Sequence, residues 1–250
     1  MENRYKIYFA SDFHLGLATE TPSIDREKKI VNWLVSAAAD AKEIYLLGDI
    51  FDFWWEYRNV VPKGFTRFLG AVASITDSGI PVHFFTGNHD LWANDYLSEE
   101  CGMIMHRSPV TVTHNGKTFH LAHGDGLGTK NAGRRLLSAM FRNRVLQKMY
   151  SALHPSIGVW AGRRWSQYSA VGKGTETFCG EENEDLVRYA RTILLKENID
   201  YFIFGHRHFA INHALNPGCE ILFLGSWKSS CNYGLWDGRQ LCFVKTPGPG

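Results

Sequence analysis

The chain predicts an α/β fold in which two sheets face each other with helices outside. Three observations carry this. Apolar runs at residues 6–11, 43–47 and 81–86 alternate with helical periodicity, the β-α-β-α-β order of a mostly parallel sheet. After Leu91 the pattern changes to closely spaced strand-like runs separated by turn residues. Five of the apolar runs lead into short polar blocks, and the C-terminal ends of strands are where open α/β sheets gather their ligands.

In chain order, the first strand ends at Ser11. Ile30, Val31, Leu34 and Val35 then place an apolar stripe on a helix over about 25–40. The strand at 43–47 is followed by a helix through Phe65, Phe68, Leu69 and Val72, and by the strand at 81–86. Residues 110–113 and 118–122 flank Asn115-Gly116, a strong hairpin signal. A strand at 201–204 precedes short strands around Asn216-Pro217-Gly218 and at 221–225, 233–236 and 241–245; 246–250 reads as a loose tail. At 250 residues and 44% hydrophobic, the chain can bury one large core, so a single domain over 1–250 is expected, with an insertion at about 126–175.

Composition excludes several classes. No apolar stretch approaches the roughly 18 residues of a membrane span. Met1-Glu2-Asn3-Arg4 leads straight into a strand without a signal-peptide apolar region, so a cytoplasmic protein is expected. Cys101, Cys179, Cys219, Cys231 and Cys242 are scattered and never spaced C-x-x-C, which argues against a disulfide framework or zinc ribbon.

The five polar blocks are Asp12-Phe13-His14, Gly48-Asp49 with Asp52, Gly87-Asn88-His89-Asp90, His123-Gly124-Asp125 and Gly205-His206-Arg207-His208. Each alone is weak, since a lone His is more often a hydrogen-bonded residue than a ligand. Their joint occurrence is a complete ligand set for two metal ions. Carboxylate, amide oxygen and imidazole, with no thiolate, suit a hard divalent ion such as Mn²⁺, although Fe²⁺, Co²⁺ and Zn²⁺ accept the same donors. Asp12 and His14 are two apart, so on an extended backbone both project to one side; His206 and His208 repeat that spacing. Asp49, on a tight turn allowed by Gly48, is the best carboxylate to bridge two ions about 3.5–4 Å apart. Asn88 adds a neutral oxygen and leaves room for an anionic phosphate.

This constellation resembles the calcineurin-like metallophosphoesterase superfamily, from His14 through His208. The resemblance implies an α/β/β/α four-layer sandwich. It also implies one ion on Asp12, His14, Asp49 and His208 and a second on Asp49, Asn88, His123 and His206. His89 is then implied to stand by the scissile phosphate, stabilising charge or protonating the leaving oxygen. Asp90 serves catalysis with it, and both Asp90 and Asp52 orient the ligands. The two ions would neutralise developing charge and lower the pKa of a water for in-line attack.

Residues 126–175 are the second informative region. Nine basic residues (Lys130, Arg134, Arg135, Arg142, Arg144, Lys148, Arg163, Arg164, Lys173) stand there without an acid, which leaves a net −7 on the rest of a chain whose total is +2. Such asymmetry implies an anionic partner. Leu136, Leu137, Met140, Phe141, Val145, Leu146, Met149, Tyr150 and Leu153 fall on one helical face, and the apolar 156–160 segment follows. A basic amphipathic helix suits a lipid headgroup boundary, but the same face would also suit packing on the domain.

A five-block phosphoesterase with a basic helical insertion is similar to the UDP-2,3-diacylglucosamine diphosphatases of lipid A biosynthesis. That resemblance implies a cap that shelters acyl chains and peripheral association with the cytoplasmic face of the inner membrane. The implied substrate is a nucleotide-linked acylated sugar, split into UMP and the sugar 1-phosphate. Asn88 and His89 would contact it, with Arg163, Arg164 and Lys173 as candidate clamps. One departure stands out: the best-studied branch has Arg where this chain has His89. A soluble phosphodiesterase, nucleotidase or nuclease is the alternative. The basic residues lack the aromatic interleaving of a single-strand groove, so no nucleic acid partner is expected. Nor is an obligate protein partner inferred. Trp54-Trp55 reads equally as a stacking platform or a packed wall.

Overall fold

The computed structural model describes residues 4–17, 19, 22–170, 177–178, 180–228 and 230–245. Period-two alternation builds its layers. In β1 (Lys6–Ala10), Ile7 and Phe9 point into one core while Tyr8 and Ala10 point into another. In β7 (Tyr201–Phe204), Ile203 joins the first of these cores and Phe202 and Phe204 a third. Two sheets therefore share a central core, and each has a helical layer on its far side.

The first sheet runs β11 (Leu241–Lys245), β10 (Asn232–Trp236), β1, β2 (Ala41–Leu46), β3 (Val82–Phe85) and β4 (Ile104–His106). Its β1 to β4 portion is parallel and β10 and β11 are antiparallel additions. The second runs β5 (Val110–His114), β6 (Lys117–Ala122), β7, β9 (Cys219–Leu224) and β8 (Ala210–Asn216), with β6, β7 and β9 parallel. Asn115 (φ 49°) and Gly116 (φ 76°) make the β5–β6 turn left-handed at both positions, as a two-residue hairpin requires.

Helices α1 (Ser23–Ala38) and α2 (Thr66–Asp77) cover the first sheet with Ile30, Trp33, Leu34, Phe68 and Val72. Helix α7 (Asp185–Leu194) covers the second with Leu186, Val187 and Ala190. Each such buried side chain contributes about 1.5–3 kcal/mol. The sandwich is the one the sequence implies; α3 (Tyr96–Cys101) and β4 are additions, too short at 6 and 3 residues to leave a periodic signal.

Between β6 and α7 the chain forms α4 (Ala132–Arg142), α5 (Arg144–Ser151) and α6 (Pro155–Ala170). The single amphipathic helix expected over 136–153 is thus two helices. Asn143 breaks it: its backbone turns extended (φ −72°, ψ 116°), and its side chain accepts from the Val145 and Leu146 amides at 2.9 and 3.2 Å, starting a new helix. The 156–160 segment belongs to α6. Much of the apolar face expected to pack or meet lipid is exposed, including Leu136, Val145, Met149, Ile157 and Trp160 at 55–65%.

Candidate active site

Parallel strands deliver the polar blocks to one edge of the sandwich. Asp12 and His14 follow β1, Asp49 and Asp52 follow β2, Asn88 to Asp90 follow β3, His123 follows β6, and His206 and His208 follow β7. The local geometry differs from the extended backbone that residue spacing suggests. Asp12, His14, Asp49 and His206 all have φ between 45° and 62°, in the left-handed region that non-glycine residues seldom adopt. Such outliers persist where surroundings over-determine them, typically at functional centres. Here the Trp227 amide donates to the Asp12 carbonyl at 3.1 Å and the His14 amide to the Asp49 carbonyl at 3.0 Å. The Arg26 guanidinium, buried on α1, donates to the His14 and Leu17 carbonyls. Gly48 is required by contact as well as by φ (82°), since a Cβ there would overlap the His123 ring.

The result is two adjoining donor clusters. Asp12, His14 and His208 form one, with His208 Nε2 and His14 Nε2 at 3.5 and 3.7 Å from Asp12 Oδ1 and 3.3 Å from each other. Asp49, His123 and His206 form the other, with His123 Nε2 at 3.4 Å from Asp49 Oδ2. Asp49 Oδ2 also lies 4.0 Å from His14 Nε2, so this carboxylate stands between the clusters. His89 Nε2 is 3.9 Å from the same oxygen, and His14, Asp49 and His89 make a third overlapping group.

Asp12, Asp49 and His123 are buried. Burial alone would raise the carboxyls, but the imidazoles of His14 and His208 hold Asp12 below the usual range, and those of His123, His89 and His14 hold Asp49 well below it. His123 is the reverse: burial lowers it, and the Asp49 and Asp12 carboxylates more than offset that and raise it well above its ordinary value. The residues fit divalent cations by a further test. Asp12 Oδ1, Asn88 Oδ1 and His123 Nε2 are buried without a hydrogen-bond partner among the described residues, costly unless a ligand meets them. His123 Nδ1 donates to the Leu47 carbonyl at 2.8 Å, so Nε2, facing Asp49, is the nitrogen that would give up its proton to offer a cation a lone pair.

Calcineurin-like phosphoesterases match this chain over residues 5–210. The chain belongs to that family. The metallophosphoesterase fold and the His/Asp clusters together imply divalent metals. A UDP-2,3-diacylglucosamine hydrolase of Porphyromonas gingivalis W83 is 39% identical, covering 95% of this chain and 96% of its own length. One of that name from Salmonella typhimurium is 27% identical, covering 88% and 90%. A dimetal phosphatase from Danio rerio superposes with a TM-score of 0.48 at 10% identity, over 98% of this chain and 96% of its own.

Beside the phosphoesterase clusters lies a cavity of about 590 Å³, reached by Asn88, His89 and His206. Its walls are mainly apolar: Trp55 and Trp92 from the loops after β2 and β3, and Leu137, Phe141, Tyr150 and Trp165 from α4 to α6. The Trp pair divides. Trp54 is fully buried and donates Nε1–H to Glu56 at 2.9 Å, a packed wall, whereas Trp55 lines the cavity 4.2 Å from the Tyr150 ring.

Asp90 lies behind the donors. It accepts from the Gly87, Asp49, Ile50 and Phe51 amides at 2.7–3.3 Å, tying two ligand loops together. Burial and the Asp49 charge push it up to about 7. Neither Arg163 nor Arg164, both on α6, is among the residues lining the cavity, and Lys173 lies outside the described residues. Residues that sequence reasoning did not single out include Ser166, whose Oγ donates to Asp52 Oδ1 at 2.8 Å, and Arg207, 3.3 Å from buried Glu184 at the cavity wall. Arg207 stood in plain view between two candidate ligand histidines. Ser166 offers no signal, since a serine inside a helical run has none.

Proposed function

We propose that the chain hydrolyses the pyrophosphate bond of UDP-2,3-diacylglucosamine, releasing UMP and 2,3-diacylglucosamine 1-phosphate. The observation that carries this reading is the position of the donor clusters at one end of an apolar, aromatic-walled cavity. A phosphoester centre needs no such cavity for a small soluble ester, but an acyl-chained one uses it. The kinship with named UDP-2,3-diacylglucosamine hydrolases at 39% and 27% identity supports the same choice.

Asp12, His14, Asp49 and His208 would hold one cation and Asp49, Asn88, His123 and His206 a second, Mn²⁺ being the best match for these donors. When bound, the ions supply charge neutralisation at the phosphoryl oxygens and acidify water. His89 presents Nε2 toward the phosphate and stabilises charge there or passes a proton to the leaving oxygen. Asp90 holds the ligand loops in register rather than meeting the substrate. Helices α4 to α6 form a cap: the inner side chains line the acyl cavity, and the outward Val145, Met149, Ile157 and Trp160 with the nearby basic residues hold the enzyme to anionic lipid at the cytoplasmic face of the inner membrane.

The test is product analysis of Mn²⁺-loaded protein with UDP-2,3-diacylglucosamine in mild detergent, alongside bis-p-nitrophenyl phosphate and an Asn88→Ala control. UMP and the acylated sugar phosphate, lost in the control, are the expected products. Turnover of the generic diester alone would remove the lipid substrate and leave a phosphodiesterase.

A further inference from the structure

Helix α6 makes an unusually close approach to the loop after β2. Gly158, Gly162 and Ser166 are spaced by four and so share one stripe of the helix. A Cβ at Gly158 would overlap the Tyr57 hydroxyl, and one at Gly162 would overlap the Phe53 ring. The helix backbone therefore lies directly on residues 53–57. One turn further on, Ser166, 3% exposed, meets the start of that loop: its Oγ is 2.8 Å from Asp52 Oδ1 and 3.2 Å from His89 Nδ1.

Hydrogen-bond directions follow from the partners. His89 Nδ1 is 2.8 Å from the Asp52 backbone carbonyl, which can only accept, so Nδ1 carries a proton, and any proton passed to the leaving oxygen is a second one on Nε2. Ser166 Oγ accepts a share of that Nδ1–H while its own hydrogen goes to the Asp52 carboxylate. The Asp52 carboxylate also faces His14 Nδ1 at 3.7 Å, so one side chain is shared by a candidate metal ligand and the cap. Two hydrogen bonds converge on Nδ1 at the back of the His89 ring, and Nε2 is left facing Asp49 and the cavity.

We propose that Ser166 is a positioning residue for His89: the cap, through the glycine-lined seat of α6, supplies the hydroxyl that fixes the imidazole toward the phosphate. This rests on the reading of His89 as the group facing the phosphate. Without the hydroxyl, the ring is held by one carbonyl and can tilt, and misplacement by 1 Å costs about 100-fold in rate.

The experiment is a double-mutant cycle on the Mn²⁺-loaded protein, measured on both bis-p-nitrophenyl phosphate and UDP-2,3-diacylglucosamine. Ser166→Ala is expected to lower kcat about tenfold, a partial version of that misplacement, with KM unchanged and an unaltered unfolding midpoint. Ser166→Cys, close in size but a poor hydrogen-bonding group, should behave alike. In a His89→Ala background Ser166→Ala should cost nothing more, because its effect passes through the imidazole. Additive losses, a raised KM, or an unchanged kcat in the single variant would each overturn the proposal. If only the generic diester is turned over and the cycle still closes on it, the lipid substrate is lost and the positioning role stands.

Discussion

The sandwich and the cap treat the same amphipathic pattern in opposite ways. In α1, the stripe of Ile30, Trp33, Leu34 and Ala37 is buried against the sheet. In α5 no residue is buried, and Val145 and Met149 are each 65% exposed. The lesson is that periodicity reports which side chains share a face, while the occupant of that face is decided by what the rest of the chain places opposite. For α1 it is a sheet. For the outer cap, none of the described residues occupies that face, and the lipid boundary proposed above is what would cover it.

Substitutions can break that contrast, the largest effect first. Asp49→Asn should lower kcat about 1000-fold on bis-p-nitrophenyl phosphate, because the carboxylate between the two clusters loses its charge; steady-state rates at saturating Mn²⁺ check this. Leu34→Ala should destabilise the sandwich by about 2–5 kcal/mol in urea unfolding, the cost of a cavity in a packed core. The equivalent truncation in the cap, Val145→Ser with Met149→Ser and Trp160→Ser, should shift each site by no more than about 0.5 kcal/mol. It should nonetheless weaken binding to phosphatidylglycerol vesicles at least about tenfold in a sedimentation assay. Equal stability losses in cap and core would erase the distinction.

Acid sharpens it further, through a cluster at the edge of the central core that the cap does not share. His106 is half-buried and stacks on Phe85, with its Nε2 2.9 Å from His83 Nδ1. Burial, then the neighbouring His83, lowers it to about 4. The folded state therefore binds fewer protons than the unfolded chain, so stability is full above about pH 6.5 and falls as pH drops toward 4, by on the order of 2 kcal/mol. Glu43, held down to about 2 chiefly by His83 against the cost of burial, continues the loss from about pH 4.5 downward. Unfolding midpoints from pH 7.5 to 4.5 should fall, and His106→Asn should flatten the upper part of that slope.

Much of the sandwich is legible in the chain because its strands lie between cores and its helices over one. Runs such as 201–204 coincide with β7, and the 25–40 stripe with α1 to within two residues. The chain also shows which residues meet at the strand ends, because five blocks after five strands leave few other arrangements. It does not show how they meet. Spacing suggests extended pairs, yet Asp12 and His14 converge through left-handed backbone held by contacts from α1 and from Trp227, distant in sequence. The break at Asn143 was hidden because a capping side chain and an exposed polar one look alike within a helical pattern. Ser166 was hidden because its meaning depends on two glycines seating α6, which only the packed structure reveals.

The donors come from both sheets: Asp12, His14, Asp49 and Asn88 follow strands of the first, and His123, His206 and His208 follow strands of the second. Cations held between them would be cross-links as well as cofactors, closing a chain loop from Asp12 to His208 at the open edge of the sandwich. Ions that bind only the folded form add stability in proportion to the logarithm of their concentration, about 2.7 kcal/mol at one hundred times the dissociation constant. Metal supply would then govern how long the molecule survives as well as how fast it works, and a chelator should lower its melting point even where no substrate is present.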